Sequence, residues 1–225
     1  MPTSSELGSW RLWRHLRRLR LAAHAGSSVV LSQEECDKAW QDFCRRSGLD
    51  PADKKKVPRD FAPCTHEELR EVIVRDLRIS RWKEEVFGPH AKELFDKRKP
   101  DLDQVVYSLL RVRDLGLARE LWFRLKENEA TFAELAARYT EGHELHTSGI
   151  VGPSAFGKMH PALASLLRAG EEGKLLQPAS VGDIFVVARV EKFLPVEFDA
   201  AMKARMVEEL SLQWLESKLD EDGAE

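Results

Sequence analysis

The side chains best suited to chemistry in this chain are three histidines, His143, His146 and His160, around the stretch GIVGPSAFGKMHPAL at residues 149–163. A His-x-x-His pair at 143 and 146 could be read as half of a zinc site. No cysteine pair or carboxylate pattern accompanies it, and the surrounding sequence is typical of a loop. We therefore expect these histidines to be solvated, and we predict neither a metal nor a cofactor.

The stretch at residues 149–163 holds three glycines and two prolines, with Met159 two residues before Pro161. This composition is too irregular for a helix or a central strand. The stretch also carries few groups that could transfer a proton. It is either a connecting loop or the rim of a pocket that holds an apolar ring.

Composition limits the classes of protein to which the chain could belong. It has 225 residues, 43% hydrophobic and 32% charged, with a net charge of −3, which is typical of a folded, helix-rich protein. No run approaches the roughly 20 apolar residues of a membrane span. Basic residues are not interleaved with aromatic ones after the first twenty positions, so we expect no nucleic-acid partner.

Charge is concentrated at the N-terminus. Residues 1–30 carry five arginines against one acid, Glu6, and the arginines interrupt any apolar run that a secretory signal would need. This segment is either a basic amphipathic or transit-type extension, with contact to a membrane surface as one option, or a poorly ordered tail.

The cysteines favour a reducing compartment. Cys36, Cys44 and Cys64 form no CxxC pair, and an odd number argues against a disulfide framework. With no secretory signal recognised, we expect a cytoplasmic protein. Export or transit through an atypical N-terminus stays open.

Helix start signals recur along the first hundred residues. Ser32 with Glu35 and Thr65 with Glu68 have the spacing of capping boxes, and apolar residues follow each at helical spacing. The segment HAKELFDKRK is a further helix that we expect to end at Pro100. Residues 31–98 are therefore predicted to form a helical module.

The pattern changes after residue 100. Residues 103–112 (DQVVYSLLRV) and the segment GDIFVVARVEKF are rich in β-branched residues and predict strands. Residues 114–128 and a third capping box, Thr131 with Glu134, predict helices between them. Past Pro195, a long amphipathic helix is predicted over residues 196–219. The fold class is α+β.

The segments ATFAELAARYTEG, SGIVGPSAFGKMHPAL and GDIFVVARVEKF together resemble a parvulin-type peptidyl-prolyl isomerase domain. That family has an F-x-x-L-A-x-x-Y-S helix, a glycine-rich loop ending in G-x-M-x-P, and a last strand ending in a basic–valine pair. The matching residues are Phe132, Leu135, Ala136, Tyr139, Thr140, Gly149, Gly152, Gly157, Met159, Pro161, Arg189 and Val190. The likeness covers residues 101–194 and implies a four-stranded sheet with about three helices.

The flanking helices extend this likeness. A parvulin-like domain inserted between an N-terminal helical module and a C-terminal helix resembles the SurA and PrsA class of folding helpers, and the short parvulin-related proteins of cyanobacteria. The likeness implies unfolded or proline-containing polypeptides as partners.

The same likeness implies a set of site residues. Active parvulins carry histidine in the first and last strands, cysteine or aspartate after the Tyr-Ser helix, and an aromatic after Met-x-Pro. These positions fall here on Ser108, Val186, Gly142 or a neighbour, and Leu163. The implied catalytic positions are Ser108, Met159, Leu163 and Val186, and the implied substrate contacts are Met159, Leu163, Phe156 and Phe185.

Two functions follow from this likeness. The first is peptidyl-prolyl isomerisation, in which an apolar pocket favours the twisted amide and no nucleophile is obligatory. The second is a SurA-like chaperone whose parvulin domain binds without turnover, which the missing histidines favour. An assembly factor for one dedicated partner is a third option.

Overall fold

A computed structural model of the chain describes residues 12–50, 64–140 and 142–222. The chain divides into two compact units. The helical unit comprises Met1–Leu94 and Asp199–Glu225, and the sheet unit comprises Phe95–Phe198. Residues 1–11 of the predicted N-terminal segment lie outside the described residues.

In chain order the elements are α1 (Leu12–Gly26), α2 (Gln33–Ser47), α3 (His66–Phe87), α4 (Ala91–Leu102), β1 (Gln104–Val112), α5 (Leu115–Lys126), α6 (Phe132–Tyr139), β2 (Ile150–Ala155), α7 (Pro161–Arg168), β3 (Ala179–Val181), β4 (Ile184–Leu194) and α8 (Ala200–Asp222). Short 3₁₀ turns at Gly88–His90, His143–Thr147 and Phe156–Lys158 connect some of them. Among the helices of the described residues, none combines the length and the hydropathy that a membrane span requires.

The three predicted capping boxes are confirmed. In each, the hydroxyl of the first residue accepts from the backbone N–H three positions on, and the glutamate carboxylate accepts from the backbone N–H of the first residue. The pairs are Ser32 with Glu35, Thr65 with Glu68, and Thr131 with Glu134, at the starts of α2, α3 and α6. These hydrogen bonds lower the pKa of all three carboxyls.

Part of the N-terminal segment differs from one of the two structures expected for it. A poorly ordered tail is wrong for residues 12–26, which form α1. Small residues allow α1 to approach α3 closely: Ala22 and Gly26 are buried, and a Cβ on Gly26 would lie 3.1 Å from the backbone of Ile79. Packing against a neighbouring helix therefore fixes a segment whose own sequence is dominated by arginine.

The expected end of a helix at Pro100 is also wrong, because α4 continues to Leu102. Proline removes one backbone donor, and here it does so in the last turn, where little helix remains to be broken. Asp103 still closes that turn, since its N–H donates to the Lys99 carbonyl at 2.9 Å.

The sheet unit has the predicted α+β class, with a four-stranded antiparallel sheet in the order β2-β1-β4-β3. The stretch at 149–163 forms the edge strand β2, a 3₁₀ turn and the first residues of α7. An edge strand tolerates Pro153, because one side of it needs no ladder hydrogen bonds.

Two apolar cores lie on the two faces of this sheet. On one face, Leu163 and Leu167 of α7 pack with Leu109 and Val186. On the other face, α5 and α6 pack against Leu110, Val112 and Val187. Both central strands are thus buried on both faces, which is why they read as nearly continuous apolar runs.

Candidate functional site

A cavity of about 620 Å³ lies on the α7 face of the sheet, within the usual range for ligand pockets. Its apolar wall comprises Leu109, Val151, Leu163, Val181, Ile184 and Val186. Polar groups line the rest of it, from Tyr107, Arg111, His143, Glu144, Thr147 and His160. We call this the sheet-face cavity.

An ion pair between Arg111 of β1 and Glu144 of the 3₁₀ turn forms the polar end of the cavity. Arg111 donates from Nε to Glu144 Oε1 at 2.6 Å and from Nη2 to Oε2. The Glu144 side chain is only 1% exposed, whereas that of Arg111 is 34% exposed. The pair is therefore bidentate, with the carboxylate on its inner side.

Hydrogen bonds from neighbouring backbone and side chains complete this arrangement. Thr140 donates its hydroxyl to Glu144 Oε1 at 2.7 Å, and the same oxygen of Thr140 accepts from the Arg111 N–H at 3.1 Å. The Gly149 N–H donates to the Glu144 carbonyl at 2.8 Å. The turn is thus held against β1 by a satisfied polar network.

These contacts determine the ionisation of Glu144 and Tyr107. Burial acts to raise the pKa of Glu144, but the hydrogen bonds from Arg111 and Thr140 outweigh it, so that the pKa lies below its ordinary value. Burial raises the pKa of Tyr107; Arg111 opposes this shift and Glu144 adds to it. Glu144 is therefore a carboxylate and Tyr107 a protonated phenol at neutral pH, able to donate a hydrogen bond.

His160 is a second donor at the cavity, and its tautomer follows from its position. It is the N-cap of α7, where its Nδ1 accepts from the Ala162 N–H at 3.2 Å. An accepting Nδ1 carries no proton, so the proton of the neutral ring lies on Nε2. The capping contact thus leaves Nε2 as the donor.

Gly142 explains how the ion pair fits. A Cβ at this position would lie 1.9 Å from Arg111 Nη2 and 2.3 Å from Glu144 Oε2. The family likeness places cysteine or aspartate at or beside this position, yet here the guanidinium fills the space that such a side chain would need. A side chain at 142 would therefore require the Arg111–Glu144 pair to shift.

Gly152, in β2, is required for its backbone conformation. Its φ is +111°, and a Cβ would lie 2.6 Å from the Val105 carbonyl oxygen. Glycine alone combines this φ with that close approach to β1. The glycines of the motif thus shape the edge of the cavity.

The structure brings some of the sequence-predicted residues together. Leu163 and Val186 both line the sheet-face cavity. Met159 is partly buried and packs against the same apolar core, but it is not part of the cavity lining. Phe156 belongs to that core too, with its ring 4.7 Å from the Arg168 guanidinium carbon, and it lines a different pocket.

Two predicted site residues lie on the opposite face. Ser108 is buried and donates its hydroxyl to Glu191, and Phe185 packs against the core formed with α5 and α6. Because side chains alternate along a strand, Leu109 and not Ser108 faces the cavity. Ser108 and Phe185 are therefore wrong as cavity residues.

Sequence reasoning missed the polar set of the cavity, Tyr107, Arg111 and Glu144. The available signal was weak: an arginine near the end of a predicted strand and a glutamate 33 residues later. Each is common on protein surfaces, so neither residue alone indicates burial.

No protein-family model matches the sequence, and no curated protein sequence matches it. Solved structures do. The peptidylprolyl isomerase PrsA of Bacillus anthracis superimposes with a TM-score of 0.50 at 16% identity, over 91% of this chain and 95% of that one. PrsA of Bacillus cereus gives 0.49 at 16% identity, over 96% and 82%.

One of two SurA-like chaperones of Campylobacter jejuni is also similar, with a TM-score of 0.41 at 16% identity, over 86% of this chain and 92% of that one. These similarities are similarities of fold. The chain has the fold of the PrsA-like, parvulin-type peptidyl-prolyl isomerases.

Proposed function

We propose that this protein is a folding helper that binds proline-containing segments of unfolded polypeptides in the sheet-face cavity and accelerates their cis–trans isomerisation. One observation carries the proposal: a single cavity combines an apolar wall with hydrogen-bond donors at its polar end. The peptidylprolyl isomerase activity of the Bacillus anthracis protein with this fold supports it.

The cavity suits the reaction because isomerisation needs no covalent step. The prolyl amide has a barrier of about 18–20 kcal/mol because rotation removes its resonance. Its pyrrolidine ring would lie against Leu109, Leu163 and Val186, away from water. An apolar setting favours the twisted amide, which carries less charge separation than the planar one.

The donors would act on the polar atoms of the rotating amide. In the twisted state the prolyl nitrogen regains its lone pair and becomes a hydrogen-bond acceptor. The Tyr107 hydroxyl and His160 Nε2–H are candidates to donate to it or to the neighbouring carbonyl. A donor that bonds better to the twisted than to the planar amide lowers the barrier. Glu144, saturated by Arg111 and Thr140, has a positioning role.

Binding without turnover is the second candidate function, and the apolar centre of the cavity favours it. Leu109 of β1 and Val186 of β4 both line the cavity, and neither side chain can donate a hydrogen bond to the rotating amide. A chaperone would use the same wall to hold an apolar segment.

A protease-coupled isomerisation assay on short Xaa-Pro peptides, together with peptide binding by fluorescence anisotropy, tests both. Ile150→Lys places a charge at the cavity, where Ile150 is 50% exposed, and Phe123→Lys on α5 is the matched control at 55% exposure. Acceleration that Ile150→Lys removes and Phe123→Lys keeps supports isomerisation. Peptide binding that Ile150→Lys removes and Phe123→Lys keeps, without acceleration, supports the chaperone function. If the parent protein neither accelerates isomerisation nor binds the peptides, the proposal is overturned.

Tyr107→Phe tests the role of the Tyr107 hydroxyl as a hydrogen-bond donor separately from the role of the apolar wall. Loss of one hydrogen bond made in the twisted state should lower kcat/KM about tenfold, while peptide affinity stays unchanged. An equal loss in affinity and in rate would instead assign Tyr107 to binding alone.

A further inference from the structure

The helical unit carries a second apolar surface, which the sheet-face cavity does not involve. A groove of about 510 Å³ lies between α1 and α3. Trp13, Leu16, Leu19 and Ala23 line it from α1, and Ile79 lines it from α3. Trp13, Leu16 and Leu19 are exposed, as is Leu12 at the start of α1. We call this the α1–α3 groove.

The orientation of α1 is the reverse of an ordinary surface helix. Arg14 donates to Glu216 and Asp220 of α8, both at 2.9 Å, and Arg18 pairs with Glu216 at 3.1 Å. Two arginines of α1, Arg14 and Arg18, thus face a neighbouring helix, whereas its leucines face outward. Apolar side chains displayed along one helix usually mark an interaction surface.

The spacing of these side chains indicates a helical partner. Leu12, Leu16, Leu19 and Ala23 follow one another at intervals of four, three and four residues. This is the seam of a coiled coil, in which apolar residues recur every 3.5 residues. Gly26 is the next position of this seam, but α3 already packs against it, because a Cβ on Gly26 would touch the Ile79 backbone. The exposed part is about three turns long, since each residue adds about 1.5 Å.

The charges beside the seam indicate the composition of that partner. Arg17, Arg20 and Arg75 line the groove together with Asp76, which pairs with Arg75 at 3.7 Å, and α1 contains no acidic residue. Arg20 follows Leu19 directly, at a flanking position where coiled coils pair opposite charges. A partner with glutamate or aspartate beside its own apolar seam would be complementary.

The same features disfavour two other occupants. A second copy pairing through α1 would bring arginine against arginine, because this helix has no acid to offer. A membrane surface fits a broad, convex apolar face, whereas this surface is a narrow seam beside a concave groove. We propose that the α1–α3 groove binds an acidic amphipathic helix of another polypeptide.

A designed probe tests this without involving the sheet-face cavity. It is a labelled helix of about 20 residues with leucine at the seam positions, glutamate at the flanking positions and no proline, and a matched probe carries lysine for glutamate. Fluorescence anisotropy at about 50 mM salt, where charge pairing is weakly screened, measures both. The acidic probe should bind about tenfold more tightly than the basic one.

Variants at exposed positions locate the binding. Leu16→Gln should weaken the acidic probe about tenfold, while Leu212→Gln on α8, at 38% exposure against 42% for Leu16, should leave it unchanged. Arg20→Glu should weaken the acidic probe and strengthen the basic one. Lys38→Glu on α2 makes the same charge change away from the groove and should do neither.

Three results would overturn the proposal: probes that bind equally to all variants, binding of anionic vesicles but of neither probe, or self-association that Leu16→Gln abolishes. The Xaa-Pro assay fails or succeeds independently of them, because none of these variants touches the sheet unit's cavity.

Discussion

The two faces of β1 carry similar polar groups in different surroundings. On the cavity face, Arg111 pairs with Glu144, which also accepts from the Thr140 hydroxyl. On the other face, Arg189 pairs with Glu191 at 2.9 Å, which also accepts from the Ser108 hydroxyl. Each face thus has an arginine, a glutamate and a hydroxyl.

Burial distinguishes them. The Glu144 side chain is 1% exposed and lies at the cavity, whereas that of Glu191 is 29% exposed. The Arg189 guanidinium carbon lies 5.2 Å from the centre of the Phe132 ring, and neither Arg189 nor Glu191 lines the sheet-face cavity. The comparison shows that residue type alone does not distinguish the cavity face from the opposite one, whereas burial beside an open volume does.

Among the variants that test this comparison, Glu144→Gln should cause the largest loss of unfolding free energy. Arg111 loses its counter-charge, and breaking a mostly buried pair costs about 3 kcal/mol of unfolding free energy. Glu191→Gln, in the more exposed network, should cost below about 1 kcal/mol. Urea unfolding of both variants measures the difference; equal losses would mean that the two networks are energetically alike.

Gly142→Ala should follow in size. The added methyl group overlaps the guanidinium position of Arg111, and overpacking of this kind costs about 1–3 kcal/mol. Gly88→Ala is the control, since a Cβ there lies 3.0 Å from the end of the Glu84 side chain, which is 48% exposed, whereas the Glu144 side chain beside Gly142 is 1% exposed. Thermal unfolding compares them, and a neutral Gly142→Ala would contradict the steric account.

Ser108→Ala tests the placement of Ser108 on the face of the sheet opposite the cavity. Loss of its hydrogen bond to Glu191 should cost about 1 kcal/mol of stability. The rate of prolyl isomerisation per folded molecule should not change, because Ser108 does not line the cavity. A clear loss of rate at unchanged stability would return Ser108 to the site.

The smallest expected effect is a change in how the free energy of unfolding depends on pH. The folded-state pKa of Glu144 is lowered, so its contribution to stability is fully present above the unfolded pKa of about 4.3 and is lost as pH falls through the lower folded value. The stability difference between the parent protein and Glu144→Gln should therefore be constant near neutrality and shrink below about pH 4. Urea midpoints over this range measure it; a difference that grows on acidification would reverse the assigned sign.

Much of the fold could be predicted from local sequence. The capping boxes depend on interactions between residues three positions apart, and β1 and β4 were recognised from their runs of β-branched residues. The family likeness implied Leu163 and Val186 as site residues, and both line the cavity. The same likeness implied Met159 as a site residue, but Met159 packs against the adjoining core and does not line the cavity.

What the sequence by itself determined is therefore most of the helices, the two central strands and the α+β class, because helix capping and apolar patterning involve residues close together in the chain. The tertiary structure alone decided which residues meet at the cavity. β1 is apolar on both faces, so its pattern does not show whether Ser108 or Leu109 faces α7. The Arg111–Glu144 pair joins residues 33 positions apart, and the small size of Gly142 has meaning only once that guanidinium is in place.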